Sequence, residues 1–387
     1  MKKRLAIITT HPIQYNAPLF ALLSSRNEII IKVFYTWGEN VLNDKYDPGF
    51  EKKIAWDIPL LEGYEYEFVS NRSTKPGSAH FNGIDNPDLI DDVIRWKAEA
   101  ILVFGWAFKS HLKLMRYFHG RIPVIFRGDS TWLRTHSSVK NTLRELFLKW
   151  VYKHVDFAVY VGNQNEIYFK KCGLKSSQLV FGPHAIDNDR FLGFPEDYIT
   201  RALDWKRKLG ISPEELVIMY AGKLEKIKNP GFIVKLAKEF IGLPVRFLIV
   251  GNGPMEKVLR EEAADNQQVT FIDFQNQLTM PVVYRLCDLF ILPSVSETWG
   301  LSVNEAMACG RGVLVRDTCG CATDLVIDDY NGFIFKVKEF DRLTKNIKEL
   351  ILDRRKVSSF GENSLQKIKS FSYENVAQAV EQLLAQL

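Results

Sequence analysis

At 387 residues the chain is longer than one hydrophobic core ordinarily supports, so two domains are expected. With 46% hydrophobic and 25% charged residues it has the composition of a folded globular protein, which excludes a disordered or fibrous one. The net charge of +5 is modest, and no apolar run approaches the roughly 20 residues needed to span a bilayer.

The start, MKKRLAIITT, sets basic residues before an apolar stretch, but that stretch covers only Leu5 to Ile8 before the polar THPIQYN. An export signal needs about 7–15 apolar residues, so a first strand fits better and a cytoplasmic location is expected. Further strands are predicted at Ile29–Tyr35, Tyr66–Ser70, Ala100–Phe104, Pro123–Arg127, Phe157–Val161 and Leu179–Phe181. Amphipathic stretches separate most of them, at Asn16–Ser25, Asp88–Lys97, Leu112–His119 and Val139–His154. The segment Thr36–Gly63 has no clear period and reads as an insertion or a mobile loop. The second half repeats the habit, with strands at Leu216–Ala221, Val245–Val250, Val269–Asp273, Leu289–Leu292 and Gly312–Arg316. Helices are expected near Pro230–Phe240, Met255–Ala264, Pro281–Cys287 and Leu301–Ala308. Continuous apolar strands alternating with helices imply buried parallel sheets. Two such sets in series give two doubly wound α/β domains, 1–195 and 196–370, joined near Gly182–Glu196 where glycine and proline punctuate a polar stretch. The last segment, 371–387, carries a helical apolar stripe at Val376, Ala379, Val380 and Leu383 and is expected to pack back on the first domain. In open sheets ligands sit at the carboxyl ends of the strands, so a central cleft between the two domains is the default site.

From Ala107 to His154 ten Lys or Arg face only Asp129 and Glu145, a surplus of eight. Such a surplus suits an anionic partner, while solvated helix faces are the plainer reading. Within it Leu143, Leu146, Phe147, Trp150 and Val151 form an apolar stripe flanked by Lys140, Arg144, Lys149 and Lys153. A core helix beside the sheet is the favoured reading; a helix lying on an anionic membrane, at the inner face of the cell membrane, is the alternative. No recognised nucleic-acid module accompanies the basic bias, so no nucleic acid is expected as partner. The five cysteines form no even framework, and Cys319-Gly320-Cys321 is a lone CxC without a nearby histidine. Asp187-Asn188-Asp189 has the form of a metal-binding DxD but lies in the predicted connection, where short polar residues favour turns.

Two stretches carry the chemistry. In Leu289–Arg316 a strand ends at Pro293, a polar turn holds Ser294, Ser296, Glu297 and Thr298, and Gly300 opens a helix that stops at Gly310. The free N–H groups of such a helix start bind phosphate oxygens without a basic side chain. Glu305 follows Glu297 by eight positions, and two carboxylates so placed suit the hydroxyls of two sugars on one ligand; capping and solvent exposure is the ordinary alternative. In Met219–Pro230 a strand runs into Ala221-Gly222, followed by Lys223 and Lys228, two cations suited to a diphosphate whose charge rises as it leaves a sugar.

Together these stretches resemble the retaining glycosyltransferases of family 4, which have the GT-B fold of two Rossmann-like domains. Glu297 and Glu305, with Trp299-Gly300-Leu301 between them, look like that family's E-x7-E signature, and Ala221-Gly222-Lys223-Leu224 with Lys228 looks like its phosphate-binding loop. Val250-Gly251-Asn252-Gly253-Pro254, Cys287 to Ser294 and Asn331-Gly332-Phe333 fall in the family's order, so the resemblance covers most of Leu216 to Phe335. It implies a donor site of Gly222, Lys223, Lys228, Asn252, Thr298, Trp299, Gly300, Leu301 and Glu305, with the lysines on the diphosphate, Glu305 on the ribose and Glu297 on the donor sugar. Lys223 stands where the family usually has arginine, so the bidentate fork is lost. The first half matches less closely. Gln14, Tyr15 and Asn16 replace a glycine pair after the first strand and are candidates for the acceptor side, with Arg127; Asp129 stands where members often carry a histidine directed at the donor sugar, and a helix-capping aspartate is the equal alternative.

The resemblance therefore implies transfer of a sugar from a nucleoside diphosphate sugar to an acceptor hydroxyl, with retention, and with Glu297, Lys228, Lys223 and Asp129 as the catalytic set. It implies no metal or other cofactor, and its commonest setting is bacterial polysaccharide or lipid-linked glycan assembly, with a glycan or lipid-linked acceptor. A nucleotide-sugar epimerase of the same fold and a non-catalytic subunit are the rival readings.

Overall fold

The computed structural model describes residues 2–39, 46, 47, 49–133 and 139–387, with the side chains of Tyr46, Val139 and Lys140 outside the description. Its described residues fall into two compact units. The first joins the described parts of 1–45, 58–184 and 373–387; the second joins those of 46–57 and 185–372.

Unit 1 is built on strands β1 (Arg4–Thr9), β2 (Ile30–Tyr35), β3 (Tyr66–Phe68), β4 (Ala100–Phe104), β5 (Val124–Arg127), β6 (Phe157–Tyr160) and β7 (Leu179–Phe181). They pair in the order β3-β2-β1-β4-β5-β6-β7, all parallel, with Leu5 of β1 opposite Ile31 on one side and Ala100 on the other. Leu5, Ala6, Ile7 and Ile8 are fully buried because helices cover both faces of the sheet, so the strand reads as an unbroken apolar run. The C-terminal helix Tyr373–Gln386 buries Val376, Ala377, Val380, Leu383 and Leu384. Its Glu381 receives a two-pronged guanidinium contact from Arg26, at 2.8 Å per bond, at the end of helix Ala17–Arg26. The Tyr373 hydroxyl donates to the Tyr15 carbonyl at 3.0 Å.

Unit 2 repeats the plan with β8 (Leu216–Ala221), β9 (Val245–Val250), β10 (Val269–Ile272), β11 (Leu289–Leu292), β12 (Gly312–Arg316) and β13 (Gly332–Phe335). The order is β10-β9-β8-β11-β12-β13, again all parallel. Leu216, Ile218 and Tyr220 of β8 and Phe247 and Ile249 of β9 share one buried cluster with Phe240, Ile347 and Phe360. Strand β13 and the helices Phe340–Leu352 and Arg354–Ile368 have no counterpart among the predicted elements.

The passage from unit 1 to unit 2 falls between His184 and Ala185, before the boundary expected at 195. The reason is local packing: Phe191 lies edge-on to Tyr284, and Arg285 donates to the Phe191 and Leu192 carbonyls at 2.9 and 3.1 Å. Asp187 of the DxD is a helix cap, accepting from the Arg190 amide at 3.0 Å.

Helix Val139–Tyr152 bears out only part of the favoured reading of its stripe as core, since Val151 is buried and Trp150 packs against the core cluster. Leu148, Val151 and Tyr152 are buried, but Leu143, Leu146 and Phe147 are 62%, 58% and 45% exposed. Phe147 and Val151 are one turn apart, so the apolar surface wraps around the helix; its Leu148, Val151 and Tyr152 side is buried, Phe147 meets Trp106 and Trp150, and Leu143 and Leu146 stay largely uncovered.

Candidate active site

In a sheet of this order the chain leaves β8 toward β9 on one side and returns to β11 on the other, which opens a crevice at the carboxyl ends of β8 and β11. Both informative stretches end there. Lys223 and Lys228 follow β8, and Glu297 follows β11. The loops are tied together by the Val295 amide donating to the Ile227 carbonyl at 2.8 Å and by Asn229 Nδ2 reaching the Pro293 carbonyl at 3.2 Å. Asn229 holds a left-handed φ of 57° there, a conformation asparagine tolerates better than most residues.

Lys228 Nζ forms an ion pair with Glu297 Oε2, and Ser294 Oγ also approaches that oxygen at 3.4 Å. Both partners are partly buried. The Glu297 backbone is locked as well: its amide donates to the Thr318 carbonyl at 3.4 Å and its carbonyl accepts from the Gly320 amide at 3.0 Å. The carboxylate and ammonium are thus fixed at the mouth of the crevice by groups on three loops.

Gly300 precedes helix Leu301–Ala308 with φ 108°, and no side chain caps that helix start. A Cβ at this position would stand 2.6 Å from Leu292 Cδ2, so both dihedral and space call for glycine. The Trp299 side chain is buried, with its indole N–H on Asn304 Oδ1 at 2.8 Å, so this residue offers a ligand backbone and not ring. Thr298 and Leu301 flank it at the same turn. Glu305 is 3% exposed and accepts from the Tyr284 hydroxyl at 2.6 Å.

Lys223 is held differently. Residues 46–57 belong to unit 2, and their short antiparallel strands, Tyr46–Asp47 and Lys52–Lys53, lie over the loop after β8. Asp47 contacts Lys223 Nζ through both oxygens, at 2.9 and 3.0 Å, and the ammonium also stands 5.2 Å from the Phe50 ring centre. Burial pushes the Asp47 carboxyl upward, but the Lys223 ammonium and the Gly49 and Phe50 amides outweigh it and hold the group below its usual value. Phe50 meets Phe274 edge-on at 4.9 Å, Lys52 Nζ donates to Asn252 Oδ1 at 2.7 Å, and Asn276 Nδ2 donates to the Ala55 carbonyl at 2.7 Å. The aperiodic segment thus supplies an internal anion to one of the expected donor lysines. Nothing in its sequence period marks that role.

Asn252 is occupied within the protein: Oδ1 takes Lys52 and the Phe274 amide, and Nδ2 donates to Glu256 and Asp273. Its loop shapes the floor of the crevice instead. Gly251 has φ 126° and a Cβ there would come within 2.1 Å of the Gly222 carbonyl oxygen, so the two glycine loops sit backbone to backbone.

The residues expected in unit 1 separate into two places. Gln14, Tyr15 and Asn16 follow β1 at that sheet's own point of reversal, between β1 and β4, and lead into helix Ala17–Arg26. Arg127 is buried, and its guanidinium donates to the Gly182 and Pro183 carbonyls at 2.8 and 2.9 Å; burial lowers it to about 10, so it stays charged. This corrects its placement as an acceptor contact: both donors serve the backbone of the connection. Asp129 sits beside it, 3.9 Å from His184 Nε2, and burial lowers His184 to about 4, which keeps that imidazole neutral. None of the motifs includes His184, Tyr284 or Asp47.

No group of three or more His, Cys, Asp or Glu suited to a metal ion occurs among the described residues. No helix among them is long and apolar enough to cross a membrane.

Residues 202–367 match the family model "Glycosyl transferases group 1". The D-inositol 3-phosphate glycosyltransferase of Rhodococcus erythropolis is 30% identical over 185 residues, which is 44% of this chain and 41% of that protein. The chain therefore spans about two fifths of the length of such curated relatives. Among solved structures, Anabaena Alr3699/HepE in complex with UDP aligns over 100% of both chains at 16% identity with a TM-score of 0.72. WaaG, a glycosyltransferase involved in lipopolysaccharide biosynthesis, aligns over 98% of this chain and 99% of its own at 13% identity and a TM-score of 0.65. The whole chain thus has the GT-B fold, and its segment 202–367 is similar to the glycosyl transferases group 1.

Proposed function

We propose that the chain transfers a sugar from a nucleoside diphosphate sugar to an acceptor hydroxyl and retains the anomeric configuration. One observation carries this: Lys228 and Glu297 are locked together at the reversal point of the unit 2 sheet, beside Lys223 and an uncapped helix start. The amides and two ammonium groups converge where a diphosphate gains charge as it departs. In the proposed step the bond from the anomeric carbon to the diphosphate oxygen breaks and the bond to the acceptor oxygen forms on the same face. The departing phosphate oxygen takes the acceptor's proton. Glu297 orients the donor sugar through its hydroxyls and keeps Lys228 in place. Lys223 joins the diphosphate after parting from Asp47. Because cationic side chains and amides meet the whole charge, the reaction is metal-independent.

UDP is the first nucleotide to test, since one protein of the same fold holds it. A glycan or lipid-linked acceptor fits the uncovered apolar face of helix Val139–Tyr152, with Arg144 and Lys149 on the same helix and Lys153 just beyond it, as a peripheral contact with anionic lipid. The experiment is incubation with a UDP-sugar panel and a lipid-linked glycan fraction, with the product linkage read by NMR. A retained anomer supports the proposal. An inverted product contradicts it, and an epimerised donor formed without any acceptor would assign the chain to the epimerases.

A further inference from the structure

A buried polar contact ties the helix before β11 to the helix after it. The Tyr284 hydroxyl donates to Glu305 Oε2 at 2.6 Å, with both residues almost wholly enclosed. The length lies at the short end of O–H···O hydrogen bonds. The Tyr284 ring has no freedom to leave: Phe191 packs edge-on at 5.9 Å and Phe290 at 5.6 Å. Its helix, Met280–Tyr284, is anchored by the next residue, Arg285, which donates to the carbonyls of Phe191, Leu192 and Pro281. A tyrosine whose only polar atom is aimed by three packed elements at one carboxylate fixes where that carboxylate points.

We propose that Tyr284 is the positioning residue for Glu305, and that through it the protein selects nucleotides bearing ribose hydroxyls. The inference rests on the reading of Glu305 as the ribose carboxylate. An ionised carboxylate has about four acceptor positions, and the bond from Tyr284 takes one and sets the direction of the others. A long glutamate side chain otherwise loses rotamer freedom when it takes up a ligand. Tyr284 removes that freedom beforehand, and positional precision of this kind depends on locked supporting groups. Removing only the phenolic oxygen therefore loosens recognition of the ribose and leaves recognition of the diphosphate intact.

The test is calorimetric binding of UDP and of 2′,3′-dideoxy-UDP to the full chain. The wild type is expected to favour UDP at least ~10-fold, the scale of one or two hydrogen bonds to a charged group. In Tyr284→Phe that preference should fall at least ~3-fold while dideoxy-UDP binds as before. A preference unchanged in Tyr284→Phe overturns the inference, as does equal weakening of both ligands, which marks the hydroxyl as structural only. Should Tyr284→Phe unfold, Tyr284→Phe/Glu305→Gln removes both partners together, a change that leaves no orphaned charge. The double variant must then match Glu305→Gln alone in preference, and a further loss in it overturns the inference. A wild type with no preference for UDP removes the ribose reading of Glu305 and this inference with it, whereas a wild type that fails to bind either nucleotide contradicts the donor site itself.

Discussion

The two units share a topology and differ in what they place at its reversal point. In unit 2 the loops after β8 and β11 bring Lys223, Lys228, Glu297 and a helix start together, each lysine paired with a carboxylate. In unit 1 the corresponding loops follow β1 and β4, and the histidines there serve the fold. His11 Nδ1 lies 2.9 Å from the Thr10 hydroxyl, and His111 joins the Gly105 carbonyl to the Thr36 hydroxyl, with burial lowering it to about 4. A neutral imidazole bonded on both sides serves packing. The doubly wound plan provides a crevice in either sheet, but only displaceable charge makes a crevice fit for an anion, and only unit 2 shows it among the residues expected to bind the donor.

The sharpest break of that contrast is Lys228→Ala. It removes a fixed cation from the crevice and leaves unit 1 untouched, so turnover should fall at least ~10²-fold, as for loss of one preorganised donor. Turnover close to wild type would show that unit 2's charge is incidental. Next in size is the uncovered face of unit 1. Replacing Leu143, Leu146 and Phe147 with serine should cut binding to anionic vesicles ~10-fold or more while UDP binding stays unchanged, and equal vesicle binding by both proteins would return that face to ordinary surface. Asp47→Asn sharpens the comparison from the other side. It withdraws the internal rival for Lys223, and a partly exposed pair of this kind is worth up to about 1 kcal/mol, so UDP should bind up to ~5-fold more tightly. Weaker binding would mean that residues 46–57 help to hold the nucleotide. The smallest expected effect is that of chelation: with cations and amides carrying the diphosphate charge as proposed, excess EDTA should leave turnover within about 2-fold, and loss of activity restored by a divalent ion would contradict the metal-free proposal.

Most of the sheet architecture was legible because buried parallel strands are continuous apolar runs; Ala100–Phe104, Leu216–Ala221, Val245–Val250, Leu289–Leu292 and Gly312–Arg316 stand as the sequence predicts. Strand β13 is only four residues long and opens on a glycine, so it carries little of that apolar signal. Gly332 in fact lies against β12, where a Cβ would approach the Val313 carbonyl oxygen to 1.7 Å. The meeting of Lys228 with Glu297 was legible from motif order, since each ends a strand at the same edge. Asp47 was not: it reaches Lys223 across 176 residues from a stretch without period, and spacing carries no trace of such a contact. Arg127 misled for the opposite reason, because a lone arginine after a strand gives no sign that its partners are two backbone carbonyls. Tyr284 lay inside an apolar helix and looked like core, which its ring is.

Sugar transfer as proposed requires a nucleoside diphosphate bound to unit 2 at the loops after β8 and β11. The direct measurement is a crystal structure of the chain soaked with UDP, with GDP and dTDP as parallel soaks. The prediction is diphosphate density within hydrogen-bond distance of Lys228 Nζ and the amides around Gly300, with Asp47 withdrawn from Lys223. Density elsewhere, or an unchanged Asp47–Lys223 pair and an empty crevice in all three soaks, would contradict it.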